Sequence, residues 1–308
     1  MGLAPEEIKT LREKFYNAAL IELFEPQKDL WIFRVKPDKG QVPFKPGQYT
    51  TLGLGIWESC VAGNGPEALK PGQEKQLLRR AYSVSHPVVN SKTGELYSPS
   101  EIDFYEFYVT LVVNESSTPT SPRLTPRIFA LKKGDRLSFG PKMTGHYNLD
   151  GIQKTDQILL FATGTGEAPH NAMVWQMLTE KHEGPIVSVV CTRYAKDQAY
   201  RGLHEKLAKE HKNYHVIYMA TREPSQPKLY PQDLITRGLL EKQSGMTLDA
   251  AKTHVYLCGN PSMIGRPEVK EGQKIYPKPA GLIEILENKG FTVSAPGRPG
   301  NIHFEAYW

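Results

Sequence analysis

From Gln157 onward the chain alternates short apolar runs with helical stretches, a rhythm that few folds accept. The runs Gln157–Ala162, Pro185–Thr192, Tyr214–Ala220 and Thr253–Cys258 are each bounded by turn residues. Helical stretches follow at Pro169–His182, Tyr200–His211, Pro231–Gln243 and Pro279–Gly290. Apolar strands joined by helices predict a parallel sheet covered on both faces.

The first half is written differently. Residues 1–16 predict a short helix, with Pro5 in the first turn, Glu6 and Glu7 beside it and Lys14 near the end. From Asn17 to about Asp150, β-rich runs are separated by turns: Ala18–Phe24, Leu30–Val35, Gln48–Leu54, Ala81–Ser85, Tyr105–Val113 and Arg136–Phe139. Strands at this spacing predict a small antiparallel barrel. The stretch Ile56–Arg79 exceeds what a hairpin needs and reads as a surface excursion. At 308 residues the chain suits two cores. The expected organisation is a helical extension over 1–16, a β-barrel over 17–150 and an α/β domain over 151–308, with no internal repeat.

Composition narrows the function. The three cysteines, Cys60, Cys191 and Cys258, are far apart and show no metal spacing, which argues against a Cys-ligated cluster or any metal site. No apolar run approaches a membrane span and the N-terminus is charged rather than signal-like, so the expected location is the cytoplasm. A net charge of +5 permits an acidic protein partner, and no basic-aromatic stripe points to nucleic acid.

Four segments carry candidate chemistry. In Arg80-Ala81-Tyr82-Ser83, Arg80 and Tyr82 share one strand face. A guanidinium fork suits a pyrophosphate, an aromatic face suits a flat ring, and a hydroxyl suits a ring nitrogen. By itself the segment is also simply an exposed Arg beside a packed Tyr. In Thr163-Gly164-Thr165-Gly166-Glu167-Ala168-Pro169 a strand runs into glycines that let backbone N–H groups approach a phosphate, and Pro169 opens a helix. An ordinary strand-to-helix turn has the same look. Cys258 ends a parallel strand, where ligands of open α/β sheets sit, although buried structural cysteines also occupy such places. The chain closes on Phe304-Glu305-Ala306-Tyr307-Trp308, whose aromatics need somewhere to dock.

Taken together and in this order, with Leu124-Thr125-Pro126-Arg127 between them, these segments resemble the ferredoxin–NADP reductase family, and within it the bacterial ferredoxin/flavodoxin–NADP reductases, over roughly residues 17–308. The resemblance implies a six-stranded antiparallel FAD-binding barrel followed by a parallel-sheet NADP-binding domain. It implies that Arg80 binds the FAD pyrophosphate, with Ala81 beside it, Tyr82 against the isoalloxazine, and Ser83 hydrogen-bonding near N5. Thr125 would help hold the flavin phosphates, Tyr307 would cover the opposite flavin face, and Trp308 would stack on the adenine. Gly164, Thr165 and Gly166 would receive the NADP pyrophosphate, and Cys258 and Glu305 would flank the nicotinamide. Ser83, Cys258 and Glu305 are thus the candidate catalytic residues. Arg193 and Arg222 match the family's 2′-phosphate positions. Tyr230, with Lys228 nearby, stands where bacterial members carry a further Arg. Pro122 stands where the family has Gly, and Arg266–Lys278 is an insertion without an assigned role. The implied activity is FAD-dependent electron transfer between NADP(H) and a one-electron carrier, ferredoxin or flavodoxin. The alternatives are a reductase component of an oxygenase system, an NAD(P)H diaphorase or flavin reductase, and a non-catalytic flavin or nucleotide sensor.

Overall fold

A computed structural model describes residues 3–90, 93–98, 102–224, 227–295 and 297–307. The chain divides into two compact units, one running to Asn90 and resuming over Tyr97–His146, the other comprising a short stretch before Tyr97 and everything from Tyr147 on.

The first unit opens with helix α1 (Pro5–Phe15), in which no residue is buried. Six antiparallel strands follow: β1 (Ala18–Gln27), β2 (Leu30–Pro37), β3 (Tyr49–Gly55), β4 (Leu77–Ser83), β5 (Tyr105–Thr110) and β6 (Arg136–Phe139), in the order β4-β3-β6-β1-β2-β5. Alternating side chains send Leu20, Phe33, Val35, Leu52, Leu54, Phe107 and Leu137 into one core, where Trp31 stacks on Phe129 at 4.3 Å. Strand β4 begins at Leu77, four residues before the sequence pattern placed it, so the excursion ends sooner. It is an edge strand, and edge strands carry charges such as Arg79 and Arg80 that disguise their periodicity. The excursion is tied down by Arg127 of helix α2 (Thr125–Ile128), whose buried guanidinium grips both carboxylate oxygens of Glu67 at 2.7–2.8 Å and the Ile56 carbonyl at 2.9 Å.

The second unit is a five-stranded parallel sheet: β7 (Gln157–Thr163), β8 (Ile186–Thr192), β9 (Tyr214–Ala220), β10 (Thr253–Gly259) and, added at the C-terminus, β13 (Ile302–Ala306). The order β13-β10-β7-β8-β9 places β7 at the centre. Helices α3 (Glu167–Thr179) and α4 (Arg201–Glu210) pack on β7, β8 and β9. Helices α5 (Pro231–Thr236), α6 (Leu239–Ser244), α7 (Pro261–Ile264) and α8 (Leu282–Glu287) bury Leu234, Leu240, Ile264 and Leu286 against Leu159, Phe161, Val187 and Val255.

Three features depart from the sequence expectation. The helix expected over Pro231–Gln243 breaks in two at Gly238, whose φ of 63° is a left-handed position that stops a helix. Pro169 lies inside the first turn of α3, which starts at Glu167; proline is tolerated there because its missing N–H would have no partner within the helix. The unassigned insertion forms a small hairpin, β11 (Glu268–Lys270) and β12 (Gln273–Ile275), turned by Glu271 and Gly272, both at positive φ. Among the described residues no helix is long and apolar enough to cross a membrane.

Candidate functional site

In the first unit, β4 holds its motif by pairing with β3: Leu52 lies opposite Arg80, Thr51 opposite Ala81, Thr50 opposite Tyr82 and Tyr49 opposite Ser83. Arg80 is exposed, donates one hydrogen bond to the Arg79 carbonyl at 2.8 Å, and has no ion-pair partner among the described residues. Tyr82, on the same strand face, is half-buried, and burial pushes its phenol up. Ser83 is buried. An unneutralised guanidinium two residues from an aromatic ring is a donor set that fits an anionic group joined to a flat one.

Thr125 behaves differently from the expectation. Its hydroxyl donates to the Val112 carbonyl at 3.1 Å and accepts the Val112 N–H at 3.0 Å. A hydroxyl has one hydrogen, so this one has none left for a phosphate. The bond fastens α2 to the chain beyond β5.

In the second unit the strand order decides where a ligand sits. From β7 the chain moves outward to β8 and β9, then crosses back to β10 and β13 on the other side. The carboxyl ends of β7 and β10 therefore bound a topological switch point, where open α/β sheets bind ligands. Gly164, Thr165 and Gly166 form a 3₁₀ turn there that runs directly into α3. Gly164 sits at φ 52° with nothing near the place of a Cβ, whereas a Cβ on Gly166 would lie 2.3 Å from the Cys258 carbonyl oxygen. The two strand ends are also stitched together, since Thr163 Oγ1 accepts the Asn260 N–H at 2.7 Å; on the other side of β10 the Tyr307 N–H donates to the Gly259 carbonyl at 3.0 Å. Backbone N–H groups of the turn and the positive end of a 13-residue helix make a cradle for a phosphate.

Arg193 and Arg222, remote in sequence, are neighbours. The pairing of β8 with β9 continues past the strands, and the Arg222 N–H donates to the Arg193 carbonyl at 2.8 Å. Both side chains are exposed and neither has an ion-pair partner among the described residues. Glu223, between them in charge, accepts instead from the Ala195 N–H at 2.7 Å. Lys228 lies 5.6 Å from the centre of the exposed Tyr230 ring.

Cys258 pairs with Glu305 across β10 and β13, and both lie close to Tyr147 and Tyr307. The thiol is completely buried. Burial first, and then the Glu305 charge, push it well above the ordinary thiol range, against a smaller opposing hydrogen bond from Tyr307. It is therefore a neutral thiol and not a thiolate nucleophile. Trp308 lies outside the described residues.

Sequence reasoning assigned no role to Thr163, Tyr147 or Glu167. Thr163 and Glu167 stand inside the glycine motif, so the signal was present but mute. Tyr147 donates or accepts at His170 Nε2, 2.6 Å away, a pairing that only the fold creates.

Residues 160–267 match the family described as the oxidoreductase NAD-binding domain. The chain is 29% identical over 271 residues to the flavodoxin/ferredoxin–NADP reductase of Buchnera aphidicola subsp. Baizongia pistaciae, covering 86% of this chain and 88% of that protein. It is 29% identical over 226 residues to the Escherichia coli protein of the same name, covering 72% and 77%. The crystal structure of a ferredoxin NADP+ reductase from Neisseria gonorrhoeae with bound FAD and NADP superposes with a TM-score of 0.68 at 17% identity, covering 95% of this chain and 98% of that one, which shows the shared fold.

Proposed function

We propose, from its similarity to ferredoxin–NADP reductases, that the chain is an FAD-dependent oxidoreductase passing electrons between NADP(H) and a one-electron carrier protein, ferredoxin or flavodoxin. The observation that carries this reading is a glycine turn at the sheet's switch point, with two arginines just beyond the ends of β8 and β9 that are joined by a backbone hydrogen bond and have no ion-pair partner among the described residues. The turn suits a pyrophosphate, and the arginines suit the additional phosphate that distinguishes NADP from NAD.

FAD, when bound, supplies the conversion between a hydride and single electrons. The chain's own residues position and shield. Arg80 pairs with the flavin pyrophosphate, Tyr82 offers its ring to the isoalloxazine, and Ser83 hydrogen-bonds at the reacting edge. Thr125 contributes through its place at the start of α2, since its hydroxyl hydrogen belongs to Val112. Gly164, Thr165 and Gly166 hold the NADP pyrophosphate; Arg193 and Arg222, with Lys228 and Tyr230 nearby, hold the adenosine end. Cys258, a neutral thiol, shapes the nicotinamide pocket, and Glu305 orients the ring through a hydrogen bond. The three free thiols suit a reducing cytoplasm.

The test is electron transfer from NADPH, under anaerobic conditions, to purified ferredoxin and flavodoxin from the same organism, with a small dye as control. Turnover with at least one carrier is expected. Reduction of the dye alone would refute the carrier assignment, and a protein that retains no flavin would refute the cofactor assignment.

A further inference from the structure

Directly after the Gly164–Gly166 turn, the first residue of α3 is Glu167, and its surroundings are unlike those of an ordinary helix-opening glutamate. Its side chain is 2% exposed and neither carboxylate oxygen has a hydrogen-bond partner among the described residues. The nearest basic atom is His204 Nε2 on α4, 3.7 Å from Oε1. That nitrogen is already engaged with Asn171 Oδ1 at 2.8 Å, and His204 Nδ1 meets the Tyr214 hydroxyl at 2.7 Å. With Asn171 accepting at Nε2 and Tyr214 donating to Nδ1, the ring is satisfied as a neutral imidazole.

Among the described residues no other group supplies a counter-charge. His170, on α3 itself, meets the Tyr147 hydroxyl, and burial holds both imidazoles low, His170 at about 3 and His204 at about 4. Strand β9 contributes the neutral phenols of Tyr214 and Tyr218, and β8 contributes the Ser188 hydroxyl. On α4, Arg201 is paired to Glu205 at 2.7 Å and lies over the Tyr218 ring, with both charged groups about half exposed. An ionised Glu167 would thus be a buried charge without partner, a costly state that a carboxyl avoids by keeping its proton. The favourable end of the α3 dipole offsets only a fraction of that cost.

We propose that Glu167 links a proton to nucleotide binding: the neutral acid admits a phosphate anion at the Gly164–Gly166 turn, the carboxylate repels it, and as the solution becomes alkaline each nucleotide bound draws up to one proton from solvent onto Glu167. The inference rests on the assignment of that turn to the NADP pyrophosphate. Two negative charges crowded at one helix start, one of them desolvated, disfavour each other. Burial pushes the Glu167 carboxyl up to about 8, which places the transition within reach of binding experiments.

The experiment is calorimetric titration of the flavin-loaded protein with NADP+ between pH 7.5 and 9.5, in buffers of differing ionisation enthalpy. The phosphates of NADP+ are fully ionised throughout this range. In the wild type the dissociation constant rises by up to about tenfold per pH unit above pH 8, with proton uptake approaching one. Glu167→Gln binds as tightly as wild type at pH 7.5, shows no such rise, and takes up no proton. Infrared spectra of the wild type alone should show the carbonyl band of a neutral carboxylic acid at pH 7 that fades by pH 9.5. Identical pH profiles in the two proteins, or the absence of that band, overturn the linkage. If NADP+ binds neither protein at any pH, the assignment of the turn falls, and the linkage with it.

Discussion

Replacing Gly166 by alanine separates the steric demand of the phosphate turn from its need for flexible backbone. The added Cβ would stand 2.3 Å from the Cys258 oxygen, 2.7 Å from the Cys258 carbonyl carbon and 3.0 Å from the Gly259 nitrogen, all backbone atoms that cannot swing aside. Relief requires the turn to move off β10 by roughly 1 Å, and overpacking of this kind costs about 1–3 kcal/mol. The movement also strains the Asn260-to-Thr163 hydrogen bond, worth about 1 kcal/mol. The second unit should therefore lose roughly 2–4 kcal/mol. Losing one charge-assisted bond to the nucleotide should weaken NADP+ about ten- to a hundredfold. Gly164→Ala meets nothing within 4 Å and pays only for its φ of 52°, about 1–2 kcal/mol. Gly202→Ala, in the first turn of α4 and unobstructed, should instead stabilise by up to about 0.5–1 kcal/mol. Urea denaturation and NADP+ titration of the three variants measure this ranking. A Gly166→Ala protein with wild-type stability and affinity would show that the two strand ends are not in the contact described.

Arg193→Ala and Arg222→Ala should each cut kcat/KM for NADPH about ten- to a hundredfold and leave NADH almost unaffected, since a charge-assisted hydrogen bond contributes roughly 1.5–3 kcal/mol; equal losses for both nucleotides in steady-state assays would remove them from the 2′-phosphate site. Glu167 also has a signature in stability. Its folded value, raised to about 8, means that its stabilising contribution is complete below its unfolded value and is lost as pH rises to 8. Glu167→Gln should therefore gain on the wild type by roughly 1.4 kcal/mol per pH unit between about pH 5 and 8, then level off, in urea midpoints; a constant difference would mean the carboxyl is ionised throughout. The depressed His170 and His204 act in the opposite sense, and their contribution is lost as pH falls below the ordinary imidazole value. Arg127→Met should destabilise the first unit by up to about 3 kcal/mol, because the part-buried Glu67 and the Ile56 carbonyl lose their partner, and an unchanged urea midpoint would show that the pair is not what anchors the excursion.

Periodicity made the elements legible where one pattern held from end to end. Tyr214–Ala220 and Arg136–Phe139 fall where the sequence places them, because alternation or a continuous apolar run marks burial residue by residue. It failed at β4, whose arginines face solvent at a sheet edge, and at β13, where the five residues Ile302–Ala306 after a Pro/Gly turn are too short and too polar for alternation to mark them. Glycine-rich turns and the Arg80-to-Ser83 strand were likewise visible, since their chemistry is local.

What the site depends on most was settled at long range. Strand order places the crevice between β7 and β10, and no residue pattern encodes which strands become neighbours. Arg193 and Arg222 meet only because β8 and β9 pair in one register and carry that pairing past their ends. Glu167 reads as a common helix-opening acid, favoured at that position by the helix dipole. It becomes an unpaired buried acid because α4 and β9, far along the chain, surround it with the neutral side chains of His204, Tyr214 and Tyr218, none of which hydrogen-bonds to it. Local propensity depends on a residue's neighbours in sequence, whereas desolvation and charge pairing depend on its neighbours in space, and those exist only once the chain has folded.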